Sequence, residues 1–513
     1  VKLGFRDAAV SEDVGMYVVT KDRYNICIPE FVGKPLSNFN HNEDNLMEAV
    51  ERRIFTVSDG AGGFVSCPKA KVGAWDEMYE LKEVLVQLAA TITNIRKATY
   101  DEFIASRPAR TKAAYARAVD KAKVGGVQKS HSTIHPFVKN EKVDPTKACR
   151  LISPRHKIYN IEAGRYLWVV EKPLYKAMGR VWGDQPGREN TIAKGMTVEQ
   201  IGSAMREKWD FFDDPVGVGL DAVRFDQHVG VPALKWEHAV YLGCFGEDAF
   251  LRKLLHWQLK NKFVVRIDGL RYVFEVQGTR MSGDMNTALG NCLIMSMLVF
   301  AWCRHVRIVA KLINNGDDCV VFMERRDLAA FSAGLADWFL AKGFEMKVEP
   351  AVDEFEKIEF CQMHPVCVGG QWVMVRNVFT AMTKDTMALG VVDLDGYKRW
   401  IHAVGTCGFS LYGDMPIYRS LYQAMIRNGI ASNVNKTSLF DNSGMVRLSK
   451  VPRVRLEDRQ GVLDETRLSF QRAFGVTVWH QRETEELFDA WRGVSPLTHG
   501  VIYSGLHHLS YGK

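Results

Sequence analysis

Two apolar runs, Ile308 to Ile313 and Cys319 to Met323, flank the segment Asn314-Asn315-Gly316-Asp317-Asp318. Asn and Gly at the join favour a tight bend between strands, so this stretch predicts a β-hairpin with two acids at its tip. Adjacent carboxylates repel each other and are a poor choice for a turn on stability grounds alone. A divalent cation relieves that repulsion, and hard Mg²⁺ prefers carboxylate oxygen while keeping coordination sites open for phosphates.

A second segment, Val216-Gly-Val-Gly-Leu-Asp221-Ala-Val-Arg-Phe-Asp226, runs an apolar strand directly into Asp221 and brings Asp226 five residues later. Paired across a sheet with Asp317, Asp221 supplies the second donor of a site for two ions, spaced about 3.5–4 Å. The Gly-x-Gly here lies inside the strand and lacks the following GxxG, so it is not a dinucleotide fingerprint. A third segment, Ser282-Gly283-Asp-Met-Asn-Thr287-Ala-Leu-Gly-Asn291, opens a long apolar helix. Thr287 and Asn291 are four residues apart and share a helix face. An Asn among Leu, Ile and Met is more than a capped core helix needs.

The chain carries a net charge of +7, unevenly placed. Between Arg107 and Lys157 stand thirteen Lys and Arg against three acids, so the remainder is slightly acidic. Such a segment suits a phosphate-binding groove. Arg107 to Lys123 reads as an amphipathic helix ended by Gly125-Gly126. Phe137 to Lys142 reads as a strand, Asp144-Pro145 as a turn, and Lys147 to Ile152 as the returning strand. Lys139, Lys147 and Arg150 held on strands present cations at fixed positions, as a triphosphate requires.

Helical patterns cover 76–120, 158–180, 284–304 and 327–342, and dominate from 396 onward, with Trp400, Tyr412, Tyr418, Tyr422 and Phe440 as packing aromatics. Strand patterns cover 216–220, 263–276, 306–313, 319–323, 344–349, 357–361 and 371–379. Short strands flanked by helical regions argue an α+β fold rather than a doubly wound sheet. The longest apolar stretch, Cys292 to Cys303, has 12 residues, short of the roughly 20 that span a bilayer, which predicts a buried helix in a soluble chain. The ten cysteines include no CxxC pair, as in a reducing compartment. Cys361, His364 and Cys367 form a C-x2-H-x2-C run, but no second pair completes a zinc tetrahedron, and buried thiols explain it better.

In this order and spacing the segments resemble a positive-strand viral RNA-dependent RNA polymerase. Lys147–Ile152 looks like its motif F, Asp221/Asp226 like motif A, Ser282–Asn291 like motif B and Gly316-Asp317-Asp318 like motif C. The tombusvirus family, carmovirus-like members included, is the nearest likeness. Phe360-Cys361-Gln362 with Pro365-Val366 resembles its motif E, and Arg467-Leu-Ser-Phe470 with Ala473-Phe474-Gly475 a signature near its C-terminus. The chain starts at Val1, and polymerases of that family are read-through or frameshift extensions of a shorter auxiliary protein, so a preceding piece is expected.

The resemblance implies a right hand of fingers, palm and thumb with closed fingertips and a helical thumb. Residues 1–187 fall in an N-terminal extension and fingers (motif F at 139–157), 188–228 in the palm, 229–275 in a fingers insertion, 276–370 in the palm again and 371–513 in the thumb. It implies template-directed RNA synthesis from ribonucleoside triphosphates. Asp221, Asp317 and Asp318 would hold two Mg²⁺ ions, for which Mn²⁺ can substitute, and Lys347, with Lys357 as competitor, would protonate pyrophosphate. Lys139, Lys147, Arg150 and Arg155 would meet the triphosphate; Asp226, Ser282, Thr287 and Asn291 the nucleotide sugar; Gly283, Lys157 and Lys142 the RNA. A reverse transcriptase would carry an aromatic steric gate where Asp226 stands, and a plain RNA-binding protein would need none of the acids. Further implied partners are a viral auxiliary replication protein and, through it or a missing N-terminal part, host membranes, with residence in the host cytoplasm at the cytosolic face of membrane-bound replication complexes.

Overall fold

Four antiparallel strands form the central sheet, in the order Ala310–Asn314, Asp318–Glu324, Pro215–Ala222, Met346–Val348. The computed structural model describes residues 11–12, 23–26, 39, 41–144, 147–267, 269–389, 393–431, 461–494 and 496–498. Pro145 of the expected turn and Phe440 lie outside them.

Side chains alternate across a strand, so each strand serves both faces of the sheet. On one face Val216, Val218, Leu220, Cys319, Val321 and Met323 pack against the helices Met78–Ile92, Lys157–Val181, Val231–Cys244 and Thr287–His305. On the other, Val320 and Phe322 face the helix Val198–Trp209, in a core cluster that extends on to the C-terminal helices. That second face also carries Gly217 and Gly219. A Cβ on Gly217 would come within 3.3 Å of Ile358, and one on Gly219 within 2.1 Å of Glu349, so the glycines admit side chains that cross the strand. Burial on both faces explains why these strands read as near-continuous apolar runs.

Thr287–His305 is long and apolar enough to cross a membrane, yet 72% of its most apolar window is buried within the protein. It is the core helix behind the sheet. Leu394–Tyr412 and Tyr418–Asn428 form a C-terminal pair in which Trp400, Tyr412, Tyr418 and Tyr422 are buried. Asp464–Phe474 packs on the strand Met363–Val368, ends on Gly475 (φ +73), and ties Arg467 to Glu485 at 3.0 and 2.9 Å.

Several elements depart from the pattern reading. The 76–120 region holds three helices, Met78–Ile92, Tyr100–Ala105 and Ala109–Gly125. Residues 263–276 are two paired strands, Lys260–Ile267 and Leu270–Gln277, parted at Gly269 (φ +80). The 306–313 strand begins only at Ala310. The helix of 327–342 is broken at Gly334 (φ +81) into Leu328–Ser332 and Leu335–Ala341. Residues 357–361 are no strand: Phe355–Lys357 is a 3-10 turn, and Met363–Val368 is the strand that follows. The 371–379 strand stops at Arg376, because Asn377 caps a helix, Val378–Thr386, by accepting from the Thr380 N–H.

Candidate active site

Asp221 sits near the end of its strand and is the register partner of Asp318, the first residue of the next. Register partners in antiparallel strands stand about 5 Å apart at Cα, so two carboxylates share one sheet edge, with Asp317 beside them in the turn. The turn is rigid. Gly316 takes φ +100; Asn314 donates to the Gly316 carbonyl at 2.7 Å and accepts its N–H at 3.1 Å. Lys194 Nζ donates to the Asn315 carbonyl at 3.2 Å.

Asp318 is fixed from a third element. Cys361 and Gln362 both adopt positive φ, 54° and 60°, and Phe360 and Met363 exchange backbone hydrogen bonds of 2.9 and 3.0 Å across them. This is a primed two-residue turn built without glycine, at a cost on the order of 1–3 kcal/mol per residue. It directs the Cys361 N–H onto Asp318 Oδ2 at 2.9 Å. Even so, burial, with Asp317 and Asp221 adding repulsion, pushes the Asp318 carboxyl up to about 6. Among the described residues no lysine or arginine neutralises Asp221, Asp317 or Asp318 by an ion pair. A cluster of uncompensated carboxylate oxygens fits hard divalent cations. Among the described residues no three acid, thiol or imidazole side chains are gathered into a metal cage. Cys361, His364 and Cys367 do not converge: Cys361 Sγ accepts from Asn315, His364 Nδ1 meets the Glu356 carbonyl, and Cys367 donates to Glu465.

Asp226 lies in the helical turn Phe225–His228 and accepts from Asn291 Nδ2 at 2.8 Å. Burial pushes its carboxyl up to about 6, against the pull of Asn291 and Arg280. Ser282 and Thr287 are bonded elsewhere. Ser282 Oγ donates to the Leu151 carbonyl and accepts the Ser153 N–H, each at 3.1 Å. Thr287 donates to the Met281 carbonyl at 2.7 Å and lies 3.0 Å from that of Asp284. Each hydroxyl has spent its one hydrogen and retains only acceptor capacity.

The basic segment is locked to this loop, although Lys139, Lys147 and Arg150, expected on strands, stand outside its two short ones. A Cβ on Gly283 would fall 2.7 Å from Pro154 Cα and 2.8 Å from the Ser153 carbonyl, so only glycine permits the approach. Pairing between the strands is short, Phe137–Val138 with Leu151–Ile152, extended by the Lys139 N–H to the Arg150 carbonyl. Lys147, Arg150 and Lys157 are exposed. Lys139 reaches Glu141 at 2.7 Å and Arg150 lies 3.6 Å from the same acid. Two expectations are corrected. Arg155 is buried and fully used, paired with Asp284 and donating to the Ser132 carbonyl and Asn261, so it is a structural cation and not a nucleotide contact. Lys142 donates to the Lys384 carbonyl and lies 5.1 Å from the Trp400 ring centroid, so it docks the hairpin onto the C-terminal helices and is not free for RNA. Burial pushes its ammonium down to about 8, with Asp385 opposing.

Lys347 is exposed and is the register partner of Asp221 on the other side, whereas Lys357 sits on the 3-10 turn outside the sheet. Pattern reading missed Lys194, Glu237, Arg280 and Gly290. Glu237 carried a signal, being an acid inside the apolar run from Val231 to Cys244. Arg280 carried a weaker one, two residues before Ser282.

The model of the viral RNA dependent RNA polymerase family matches residues 18–494. An RNA-directed RNA polymerase of Melon necrotic spot virus is 38% identical over 457 residues, 88% of this chain and 56% of that protein. Those of Tobacco necrosis virus (strain A) and Tomato bushy stunt virus (strain Cherry) are each 36% identical over 88% of this chain, which covers 61% and 54% of them. The chain spans roughly half to three-fifths of the length of such relatives.

Proposed function

This chain belongs to the viral RNA dependent RNA polymerase family, and from that membership we propose that it copies an RNA template into RNA from ribonucleoside triphosphates. The observation that carries the reading is the Asp221–Asp318 register, which sets two acids side by side at one end of the sheet, next to Asp317 in the turn. The family fold is palm-type, and we assign 188–228 and 276–370 to the palm, 1–187 and 229–275 to the extension and fingers, and 371–513 to the thumb. The Lys142 contact with Lys384 and Trp400 supports closed fingertips.

In the reaction a 3′-hydroxyl oxygen forms a bond to the α-phosphorus while the bond to the β-phosphate breaks, releasing pyrophosphate. Asp221 and Asp317, supported by Asp318, would hold two divalent cations, Mg²⁺ by donor chemistry, whose charge acidifies the hydroxyl and screens the triphosphate. Lys147 and Arg150 orient the triphosphate, Arg as a fork and Lys as a point charge. Lys347, beside Asp221, is better placed than Lys357 to give pyrophosphate its proton. Asp226 and Asn291, already bonded to each other, use their remaining hydrogen-bonding capacity on the sugar, and a deoxy sugar leaves that capacity unfilled, which discriminates against it. Template RNA follows the exposed cations near Lys157. A link to membranes through an auxiliary protein rests on family resemblance alone.

The test is extension on a defined RNA template with ribo- or deoxynucleotides, with and without chelator. Ribonucleotide-dependent, chelator-sensitive product of template length is expected. Salt-sensitive RNA binding without synthesis, or preference for deoxynucleotides, would replace this reading with a binding protein or a reverse transcriptase.

A further inference from the structure

Glu237 and Arg280 form an ion pair whose side chains are 0% and 1% exposed. Glu237 stands on a helix whose neighbours Ala233, Leu234, Trp236 and Val240 are all buried. Desolvating two charges is costly unless nearly every hydrogen-bonding position is filled. Here they are. Arg280 Nη1 donates to Glu237 Oε1 at 3.1 Å and Nη2 to Oε2, while Asn286 Nδ2 and Tyr241 Oη donate to Oε1 at 2.7 and 2.8 Å. Gly290 makes the room: a Cβ there would fall 2.4 Å from both Arg280 Nη2 and Glu237 Oε1.

The third guanidinium nitrogen points out of the pair. Arg280 Nε donates to Asn291 Oδ1 at 3.1 Å, and the backbone N–H of Arg280 donates to the Asp226 carbonyl at 2.8 Å. An asparagine amide has nearly the same shape in either orientation, but a guanidinium can only donate. Arg280 therefore holds the Asn291 oxygen toward itself and turns the NH₂ toward the Asp226 carboxylate. The reverse orientation would set an oxygen against that carboxylate and waste the arginine donor.

We infer that Arg280, anchored by Glu237, is a positioning residue for sugar selection: it sets which end of the Asn291 amide faces Asp226, and hence the donor this pair offers a 2′-hydroxyl. This rests on the reading of Asp226 and Asn291 as the sugar contact.

The experiment measures kcat and KM for a ribonucleotide and its deoxy counterpart on the full chain and on Arg280→Lys, Gly290→Ala, Tyr241→Phe and Asn291→Ala. Arg280→Lys keeps the charge but loses the fork, and the ribo-over-deoxy ratio in kcat/KM should fall about tenfold, mainly through a higher ribonucleotide KM. Gly290→Ala, which wedges the pair apart, should act in the same direction and stands in should Arg280→Lys fail to fold. Tyr241→Phe removes another Glu237 partner without touching Asn291, and should leave the ratio within about twofold. An unchanged ratio in Arg280→Lys or Gly290→Ala, beside a narrowed one in Asn291→Ala, overturns the positioning role and leaves the sugar reading intact. An unchanged ratio in Asn291→Ala overturns both.

Discussion

Asp317→Asn should reduce ribonucleotide incorporation by on the order of a thousandfold while leaving the fold in place. The two halves of this expectation have separate causes. Asp317 is exposed at the tip of a turn whose geometry is set by Asn314, Gly316 and Lys194, so the amide changes nothing in the packing. It also removes a negative charge next to Asp318, whose carboxyl is already pushed up by burial and, to a lesser degree, by that neighbour. The unfolding free energy should therefore stay within about 0.5 kcal/mol of wild type or rise slightly. The loss falls on synthesis because an amide is a poor ligand for a hard cation. Rapid-quench single-nucleotide incorporation, run beside a thermal melt, reads both. Undiminished incorporation would remove Asp317 from the chemistry.

The second large effect lies away from the acids. Asp385 is 1% exposed and accepts from Arg376 Nη1 at 3.1 Å, from Nη2 at 2.5 Å and from Tyr422 Oη at 2.7 Å. The cluster joins the strand Gln371–Arg376, the helix Val378–Thr386 and the helix Tyr418–Asn428. Asp385→Ala leaves a largely buried guanidinium without its counter-charge, at a cost of about 3–5 kcal/mol. Replacing both partners, Arg376→Met with Asp385→Leu, should recover most of that, because it is the orphaned charge that is expensive. Urea unfolding followed by tryptophan fluorescence distinguishes the two cases. The single variant should also loosen the hairpin at Lys142, since Asp385 helps hold that ammonium charged against burial. Equal losses in the single and double variants would show that the pair itself, and not the unpaired charge, carries the stability.

The parts legible in the sequence are those decided by neighbours along the chain. Apolar runs around Asn-Asn-Gly encode the Asp317 hairpin locally, but the expected pairing of Asp221 with Asp317 is off by one residue, since the register partner of Asp221 is Asp318 and a one-residue offset is not written in either strand. Burial of a cation is not written locally. Arg155 and Lys142 look like their exposed neighbours in a basic run, and the side chains or carbonyls of Asp284, Asn261, Lys384 and Trp400, all more than a hundred residues away, help take them out of solvent. The Cys361-Gln362 turn gave no glycine to announce it, because the positive φ there is imposed by Phe360, Met363 and Asp318. The Arg280–Glu237 pair joins residues 43 positions apart, and neither reads as part of a site until Asn291 is seen between Arg280 and Asp226.

Everything rests on divalent cations held at the edge where Asp221 meets Asp318. Titration of Mn²⁺ into the nucleotide-free chain, followed by electron paramagnetic resonance, measures this without reference to synthesis. Saturable binding in the wild type, weakened at least tenfold in both Asp221→Asn and Asp317→Asn while Lys347→Leu still binds, is the predicted result. Binding of equal strength in all four proteins would place the cation elsewhere and contradict the account.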